Sequence, residues 1–391
     1  MRQGHFVIAN ALANLLSLRL LMGPFTVRRF DLARLAFALA FVSALAHVSA
    51  CGGKKTEQEP PPPAGSAGAA KAGSGRPPAA GREYQIAWAL WTGYMPFKLM
   101  EAKGLLARRA AEHGIKVKLV ELPAYMDAVT AFSTGKVDGC AMTVTEILQP
   151  IAAGIEVAAI LVYDTSEGGD GVLVRGIDDL RGLRGKEILL PELSVSHYLL
   201  VRGLASVGLK ESDVRIRNTD GDAAGKAFVA DPKVLAVVSW NPHLFLATEA
   251  GKGKVIFSSK DIPGEIIDVL AVNQRALAEA PQLGTVLVEA WYDAMRLIED
   301  PATREESIAI MAEASHATTA EFKKMLGGIK LFTSRAETAA FLEADATKAT
   351  MEKIKQFLIT HGLVKDGNFA IGYGAKATEK LRFDASYAAP R

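Results

Sequence analysis

Residues 84–96, Tyr-Gln-Ile-Ala-Trp-Ala-Leu-Trp-Thr-Gly-Tyr-Met-Pro, begin the folded part of the chain. The apolar segment Gln85–Leu90 predicts a strand, a loop follows at Trp91–Tyr94, and Pro96 suits the first turn of a helix. Apolar strands and helical segments continue to alternate after this unit. That alternation is typical of an α/β fold built on a parallel sheet.

Nine further apolar segments predict strands. They are Lys116–Glu121, Gly139–Thr143, Val157–Tyr163, Gly171–Arg175, Glu187–Pro191, Val214–Asn218, Leu235–Trp240, Lys254–Phe257 and Ile266–Asn273. Asn241-Pro242 predicts an N-cap followed by proline at the first helical position. After Asn273 the pattern is almost entirely helical, with capping boxes at Thr318–Glu321 and Ser334–Glu337 and a helix end at His361-Gly362.

The order of these elements predicts two lobes. An α/β part, a second α/β part and a helical part indicate a chain that leaves one lobe, builds another and returns. We expect lobe 1 to comprise residues 83–170 and 266–391 and lobe 2 to comprise residues 171–265. Glycine-containing segments at both crossings, Gly168–Gly171 and Ile262–Glu265, suit a hinge. Two ordinary surface turns are the alternative.

The N-terminal region has the layout of an export signal. Basic residues precede an apolar run from Leu35 to Ala46, which leads to Val48-Ser49-Ala50-Cys51. This box resembles the lipidation site of bacterial lipoproteins, which implies that Cys51 is acylated and that the mature protein lies on the periplasmic side of a bacterial membrane. A membrane helix with a chance cysteine is the alternative. We predict that residues 1–50 are a signal peptide, with Met22 a possible true start.

Residues 51–82 predict a lipidated cysteine followed by a flexible tether. Gly52–Arg82 contains four consecutive prolines and no Val, Ile, Leu, Met, Phe, Tyr or Trp, so it cannot form a core. Residues 1–50 hold five arginines and one aspartate, so their removal changes the formal charge from +2 to −2. No basic surface for nucleic acid is indicated. With Cys51 lipidated, Cys140 has no partner for a disulfide.

The candidate ligand site follows from where the predicted strands end. In open α/β sheets ligands bind beyond the carboxyl ends of the strands. The residues there include two tryptophans, a tyrosine and several carboxylates but no Lys or Arg, which favours a cation or a ligand rich in N–H donors. We predict ligand binding by Trp91, Thr92, Gly93, Tyr94, Thr145, Glu146, Asp170, Ser196, His197, Asp222, Trp240, Asn241 and Glu265, while Asp164, Ser194 and Asp220 also follow strands.

Each of these residues also has a structural interpretation. Trp91 and Trp240 could close the ends of the lobes. Asp222 could cap a helix, His197 could be a structural residue inside one, and Glu265 could be a solvated charge.

The motifs of the common enzyme classes are absent from the sequence. It contains no His-Glu-x-x-His, no paired cysteine motif, no phosphate-binding loop ending in Gly-Lys-Ser/Thr and no Gly-x-Ser-x-Gly. Cys140 lies in a predicted buried strand. We therefore predict a protein that is not an enzyme and holds neither a cofactor nor a metal.

Several segments resemble one family. Residues 84–96 and the Phe-x-x-Gly-x-x-Asp step at Phe132–Asp138 resemble the periplasmic binding proteins of nitrate, sulfonate, taurine and thiamine-precursor importers. Residues 194–200, Trp240-Asn241-Pro242 and 262–268 are similar to the branch of that family named for urea transport. The resemblance implies a type II periplasmic binding protein with two α/β lobes, a two-strand hinge and a helical C-terminal segment. Although Val144 stands where that branch suggests a polar amide, the resemblance places ligand contacts on Trp91–Tyr94, the Thr143–Glu146 turn, Asp170, Ser196-His197, Trp240-Asn241 and Glu265.

The resemblance implies a lipid-anchored, monomeric receptor of an ABC importer, working with permease and ATPase subunits. Together with the acidic cleft, it favours a small nitrogen-rich solute of the urea, guanidine or amine type. A receptor for a sulfonate, nitrate or a thiamine-pyrimidine precursor is one alternative. An enzyme on the same fold is another, and it would need a nucleophile or a cofactor lysine in the cleft.

Overall fold

The structure is a computed structural model that describes residues 81–364 and 369–389. The predicted signal peptide, Cys51 and the tether as far as Ala80 lie outside the described residues. Within the described part, none of the helices combines the length and the apolar character that crossing a membrane requires.

The described residues form thirteen strands. They are β1 Glu83–Trp88, β2 Lys116–Glu121, β3 Gly139–Thr143, β4 Val157–Ser166, β5 Asp170–Val174, β6 Glu187–Leu190, β7 Arg215–Asn218, β8 Ala236–Trp240, β9 Lys254–Ser258, β10 Ile267–Asn273, β11 Ile329–Leu331, β12 Ile371–Tyr373 and β13 Leu381–Phe383.

Thirteen α-helices accompany these strands in the described residues. They are α1 Pro96–Ala102, α2 Leu105–Glu112, α3 Tyr125–Ser133, α4 Leu148–Ala152, α5 Val195–Ser206, α6 Gly221–Ala230, α7 His243–Glu249, α8 Gln274–Glu279, α9 Gln282–Glu299, α10 Arg304–Ala314, α11 Thr319–Leu326, α12 Arg335–Leu342 and α13 Asp345–Thr360.

The strands form two separate sheets. The first has the order β12-β13-β4-β10-β3-β1-β2, with β11 paired to β4, and the second has the order β7-β6-β8-β5-β9. We call the part that carries the first sheet lobe 1 and the part that carries the second sheet lobe 2. The chain passes between the sheets at residues 167–169 and returns at 259–266.

The central strands of each sheet are buried along their whole length because both faces are covered. All ten residues of β4 and all five of β3, β5 and β8 are buried. The edge strand β2 instead alternates exposed and part-buried positions around one buried residue, Leu119. Continuous burial therefore marks the strands that reach the middle of the molecule.

The two crossing segments contact each other. Ser166 Oγ lies 2.8 Å from Ser259 Oγ, and the Gly168 amide donates to Ser259 Oγ at 2.6 Å. Gly168 has φ 113°, a conformation that side chains disfavour. The two crossing segments are thus hydrogen-bonded neighbours through Ser259, which lies three residues before the second segment predicted as a hinge.

The sequence predicted the first ten strands and missed the last three. All ten predicted strands are present, with ends within three residues of the prediction. The expectation that the chain is helical after Asn273 was incomplete. Residues beyond Asn273 return to lobe 1 and add β11 and β13 to β4, while β12 pairs with β13.

The helix ends follow the predicted signals with two exceptions. Thr318 and Glu321 form the predicted capping box, and α13 ends at Thr360 with His361 as its C-cap. The second predicted capping box is wrong, because Ser334 makes no side-chain cap and Glu337 pairs with Lys330 at 2.7 Å. The helix predicted at Pro242 begins at His243, although the Asn241 side chain still accepts the Phe245 amide at 3.1 Å.

Aromatic rings join the lobe 1 sheet to its helices. The Tyr163 ring on β4 lies 4.4 Å from that of Trp291 on α9 and 5.5 Å from that of Phe97 on α1. We expect Trp291→Ala to lower the free energy of unfolding by about 3–5 kcal/mol, because it leaves a large cavity between sheet and helices. Urea denaturation measures this change.

Leu246→Ala is the matched control, since Leu246 is 40% exposed and its loss is expected to cost no more than about 0.5 kcal/mol. Equal effects of the two substitutions would contradict this account of the core.

Candidate ligand-binding site

A small cavity lies between the two lobes. Its volume is about 20 Å³, close to what a single water molecule needs. In this arrangement it has room for a molecule of about the size of one water. Both lobes contribute to the lining, which consists of Leu90, Trp91, Tyr94, Tyr125, Thr143, Asp170, Val195, Trp240 and Asp268.

Aromatic rings form the walls and connect the lobes. The Trp240 ring of lobe 2 packs edge-on against the Tyr125 ring of lobe 1, with centroids 5.6 Å apart. Its Nε1 donates to the Leu90 carbonyl at 3.2 Å. Gly221 leaves room for this ring, since a Cβ there would lie 2.2 Å from it. The Trp240 side chain is thus fixed from both lobes.

Two aspartates face each other beside the cavity. Asp164 on β4 and Asp268 on β10 are directly paired in the antiparallel ladder, and both are buried. Trp91 Nε1 lies 3.3 Å from Asp164 Oδ2, and Tyr94 donates its hydroxyl to Asp268. A Cβ at position 93 would lie 1.9 Å from Asp164 Oδ2, so Gly93 makes this placement of the carboxylate possible.

Burial makes these carboxyl groups hard to ionise. It raises the pKa of Asp164 from 3.8 to about 8, with the negative charge of Asp170 adding to the effect. Burial also raises the pKa of Asp170 to about 7. The pKa of Asp268 lies well above its usual range, first because of burial and then because of the Asp164 charge. A cation next to these groups would relieve this cost.

The cavity lining contains no Lys or Arg that could neutralise these carboxyl groups. The lining carries acidic groups and its walls are aromatic. Such a site can hold a cation by Coulomb attraction, by charge-assisted N–H···O bonds and by contact with ring faces.

Glu146 is a fourth buried carboxyl group, placed where the lobes meet. Its Oε1 accepts the amide of Val195 in lobe 2 at 2.7 Å. Its Oε2 accepts the hydroxyl of Thr143, and burial raises its pKa. Glu146 thus joins β3 of lobe 1 to the first residue of α5.

The structure brings most of the predicted residues to this region. Trp91, Tyr94, Asp170 and Trp240 line the cavity. Other predicted residues flank or support the lining without forming it: Thr92, Gly93, Thr145, Glu146, Ser196 and Asn241.

Three predicted residues are engaged elsewhere. Glu265 accepts from Arg202 at 2.8 and 2.9 Å, from Tyr198 at 2.6 Å and from Lys353 at 2.7 Å. These donors hold the pKa of Glu265 below its usual value despite its partial burial. Its carboxylate therefore ties α5 to α13 instead of lining the cavity.

Asp222 and His197 also have partners outside the cavity lining. Asp222 Oδ1 lies 2.6 Å from His243 Nε2. His197 lies beside Glu211 and His361, and the candidate ligand atoms of these three side chains fall within 4.8 Å of one another.

The histidine cluster resembles a zinc site in composition but not in its hydrogen bonds. The Leu193 amide donates to His197 Nδ1 at 3.1 Å, which places the ring proton on Nε2, the atom that faces Glu211. A metal would need that nitrogen unprotonated. The cluster is therefore a set of imidazole–carboxylate contacts that join α5 to α13.

Sequence reasoning missed Tyr125 and Asp268. Tyr125 begins a helix, and only the fold brings its ring against Trp240. Asp268 left a signal, because it is a carboxylate inside an otherwise apolar strand, Ile267–Asn273. Asp164 has the same character within β4.

We expect Asp164→Asn to stabilise the protein most strongly at alkaline pH. Because the pKa of Asp164 is higher in the folded state, unfolding releases a proton, and stability falls as pH rises from about 4 to 8. Asparagine removes this loss, so the gain in the free energy of unfolding over wild type should be large at pH 8 and small at pH 4.

Urea denaturation across this pH range measures the effect, with Asp178→Asn as the control because the Asp178 side chain is fully exposed. A destabilised variant at pH 8, or an equal gain at every pH, would contradict the buried-charge account.

Comparison with known proteins gives consistent results. A family model described as NMT1-like matches residues 78–312, more than half of the chain. A protein of Escherichia coli (strain K12), named provisionally as an aliphatic sulfonates-binding protein, is 27% identical over 228 residues, which cover 56% of this chain and 68% of that one.

Solved structures share the fold. The alkanesulfonate-binding protein of Xanthomonas axonopodis pv. citri, bound to MOPS, superposes with a TM-score of 0.61 at 20% identity, covering 74% of this chain and 96% of the other. A desulfurization enzyme superposes with a TM-score of 0.53 at 14% identity, covering 72% and 94%. The predicted periplasmic binding protein fold is thereby confirmed. The chain belongs to the NMT1-like family.

Proposed function

We propose that this protein is the solute receptor of an ABC importer and captures a small nitrogen-rich cation or N–H donor of the guanidine, amine or urea type. The family and the fold support the receptor role. The observation that carries the choice of ligand is the cavity itself, which has buried carboxyl groups and aromatic walls but no Lys or Arg.

The chemistry of the cavity fits such a ligand. Asp170 and Asp268 can accept N–H donors, while Trp91 and Trp240 offer ring faces to a flat or cationic group. A positive charge between the carboxyl groups would lower their raised pKa values. The ligand therefore supplies the positive charge or N–H donors that the site lacks. Its binding free energy is most favourable when both lobes contact it.

A sulfonate or nitrate receptor is the second candidate, supported by the names of the relatives. An anion would need basic side chains or free helix N-termini in the cavity. The lining offers no basic side chain, so the geometry favours the cationic ligand.

The enzyme alternative needs a reactive group in the cleft. Cys140, the one cysteine in the described residues, is buried in β3, and burial raises its pKa, so it is a poor nucleophile there. The cavity lining contains no lysine that could hold a cofactor. The observations support a binding role.

We also propose that the protein is anchored by lipid on Cys51 and acts outside the cytoplasm. The support is the Val48–Cys51 box and the tether Gly52–Arg82, which would let the folded part move by roughly 30 Å from a membrane. We propose that the receptor acts as a monomer with a permease and an ATPase.

The ligand class can be tested by thermal unfolding of the purified protein. Guanidinium, methylammonium and urea are the test ligands, and methanesulfonate and nitrate are the opposing set. We expect a true ligand at a hundredfold excess over its Kd to raise Tm by about 5 °C or more, because it binds only the folded state.

Asp170→Asn is expected to abolish this shift, since it removes a carboxylate that lines the cavity, while Asp178→Asn should keep it. If the sulfonate or nitrate raises Tm and the nitrogenous compounds do not, the proposed ligand class is wrong.

The anchor can be tested separately by fractionation. We expect full-length protein expressed in a bacterium to sediment with membranes and to carry the mass of the acyl chains. Cys51→Ser should lose the mass of the acyl chains, because the thiol that carries them is gone. A wild-type protein without acyl mass, or a Cys51→Ser protein that keeps it, would overturn the anchor.

A further inference from the structure

The N-terminus of α5 lies against the cavity, and its backbone donors are already used. Val195, the first residue of this 12-residue helix, lines the cavity. Ser194 Oγ accepts the amides of Ser196 at 3.1 Å and His197 at 3.5 Å. The remaining donor, the Val195 amide, binds Glu146 Oε1 at 2.7 Å.

A helix N-terminus next to a cavity is a natural place for an anion. Its amides point outward, and the helix dipole adds partial positive charge. In this protein the anion at that position is a side chain of the chain itself. Glu146 is fully buried and comes from the other lobe, so its contact with the N-terminus of α5 crosses between the lobes.

Two unused hydroxyls flank this contact in sequence. Thr145 Oγ1 and Ser196 Oγ are buried without a hydrogen-bond partner in the described part of the chain. Thr145 precedes Glu146, and Ser196 follows Val195. With Glu146 absent, these hydroxyls and the Val195 amide would offer donors of the kind that an oxyanion requires.

We propose that Glu146 determines the charge selectivity of the receptor by occupying the anion position at the N-terminus of α5. Its carboxyl group takes the donor that a sulfonate or nitrate would use, and its negative charge repels such ligands. The same contact joins the lobes without any contribution from a ligand anion. This inference rests on the proposed function, because it explains why a member of this family would accept a cation.

The test compares Glu146→Ala and Glu146→Gln with the wild-type full-length protein by isothermal titration calorimetry. Methanesulfonate and guanidinium chloride are the two probes, at concentrations far below those that unfold proteins. Glu192→Gln is the matched control, since Glu192 is an exposed acid three residues before Val195. Circular dichroism shows whether each variant is folded.

We expect Glu146→Ala to bind methanesulfonate about tenfold or more tightly than wild type, since one helix amide and its dipole become available. Glu146→Gln should gain less, because its amide oxygen can still accept from Val195 although its charge is gone. Glu192→Gln should behave as wild type.

A folded Glu146→Ala protein with no gain for methanesulfonate would overturn the proposal, as would tight methanesulfonate binding by the wild type. If Glu146→Ala does not fold, the absence of any gain in Glu146→Gln overturns it instead. The outcomes separate the two hypotheses. If the wild type does not bind guanidinium, only the proposed function is contradicted. If the Glu146 variants bind methanesulfonate no more tightly than the wild type, only the role of Glu146 is contradicted.

Discussion

The main constraint on the cavity is a set of buried carboxyl groups that have no positive partner in the cavity lining. Asp164 and Asp268 stand opposite each other on β4 and β10, and Asp170 begins β5. Burying such groups is costly unless they are protonated or paired with a cation. Keeping them therefore costs stability, and under the proposed function a positively charged ligand would recover part of it.

The closed arrangement is held by contacts that cross between the lobes. Trp240 donates to Leu90, and Glu146 accepts from Val195. At the other side of lobe 2, Glu265 and its cationic partners join α5 to α13. Under the proposed function, a ligand between Trp91 and Trp240 would contact both lobes at once and would therefore favour this arrangement.

The sequence predicted the fold well because buried strands carry a strong signal. β3, β4, β5 and β8 are continuously buried and mostly apolar, and the sequence predicts each of them. β11, β12 and β13 have three residues each, too few to show a period, and they form because the C-terminal region pairs with β4. Ser334–Glu337 matched a capping motif, but Lys330 competes for that glutamate.

The site was less predictable than the fold. A residue's position at a strand end indicates which part of the molecule it lies in, but not the direction in which its side chain points. Trp91 and Trp240 reach the cavity as the strand-end rule predicts, whereas Asp170 reaches it from the first position of β5. Glu265 also follows that rule in position, yet it turns to Lys353, 88 residues further along the chain. The contact between Tyr125 and Trp240 joins residues that are far apart in the chain, so only the folded structure reveals it.

Calorimetry in two buffers of different ionisation enthalpy tests the central claim most directly. With guanidinium titrated at pH 7, the account predicts binding with release of protons, because a cation lowers the raised pKa values of Asp164, Asp170 and Asp268. Binding with proton uptake, or binding of methanesulfonate in its place, would contradict it.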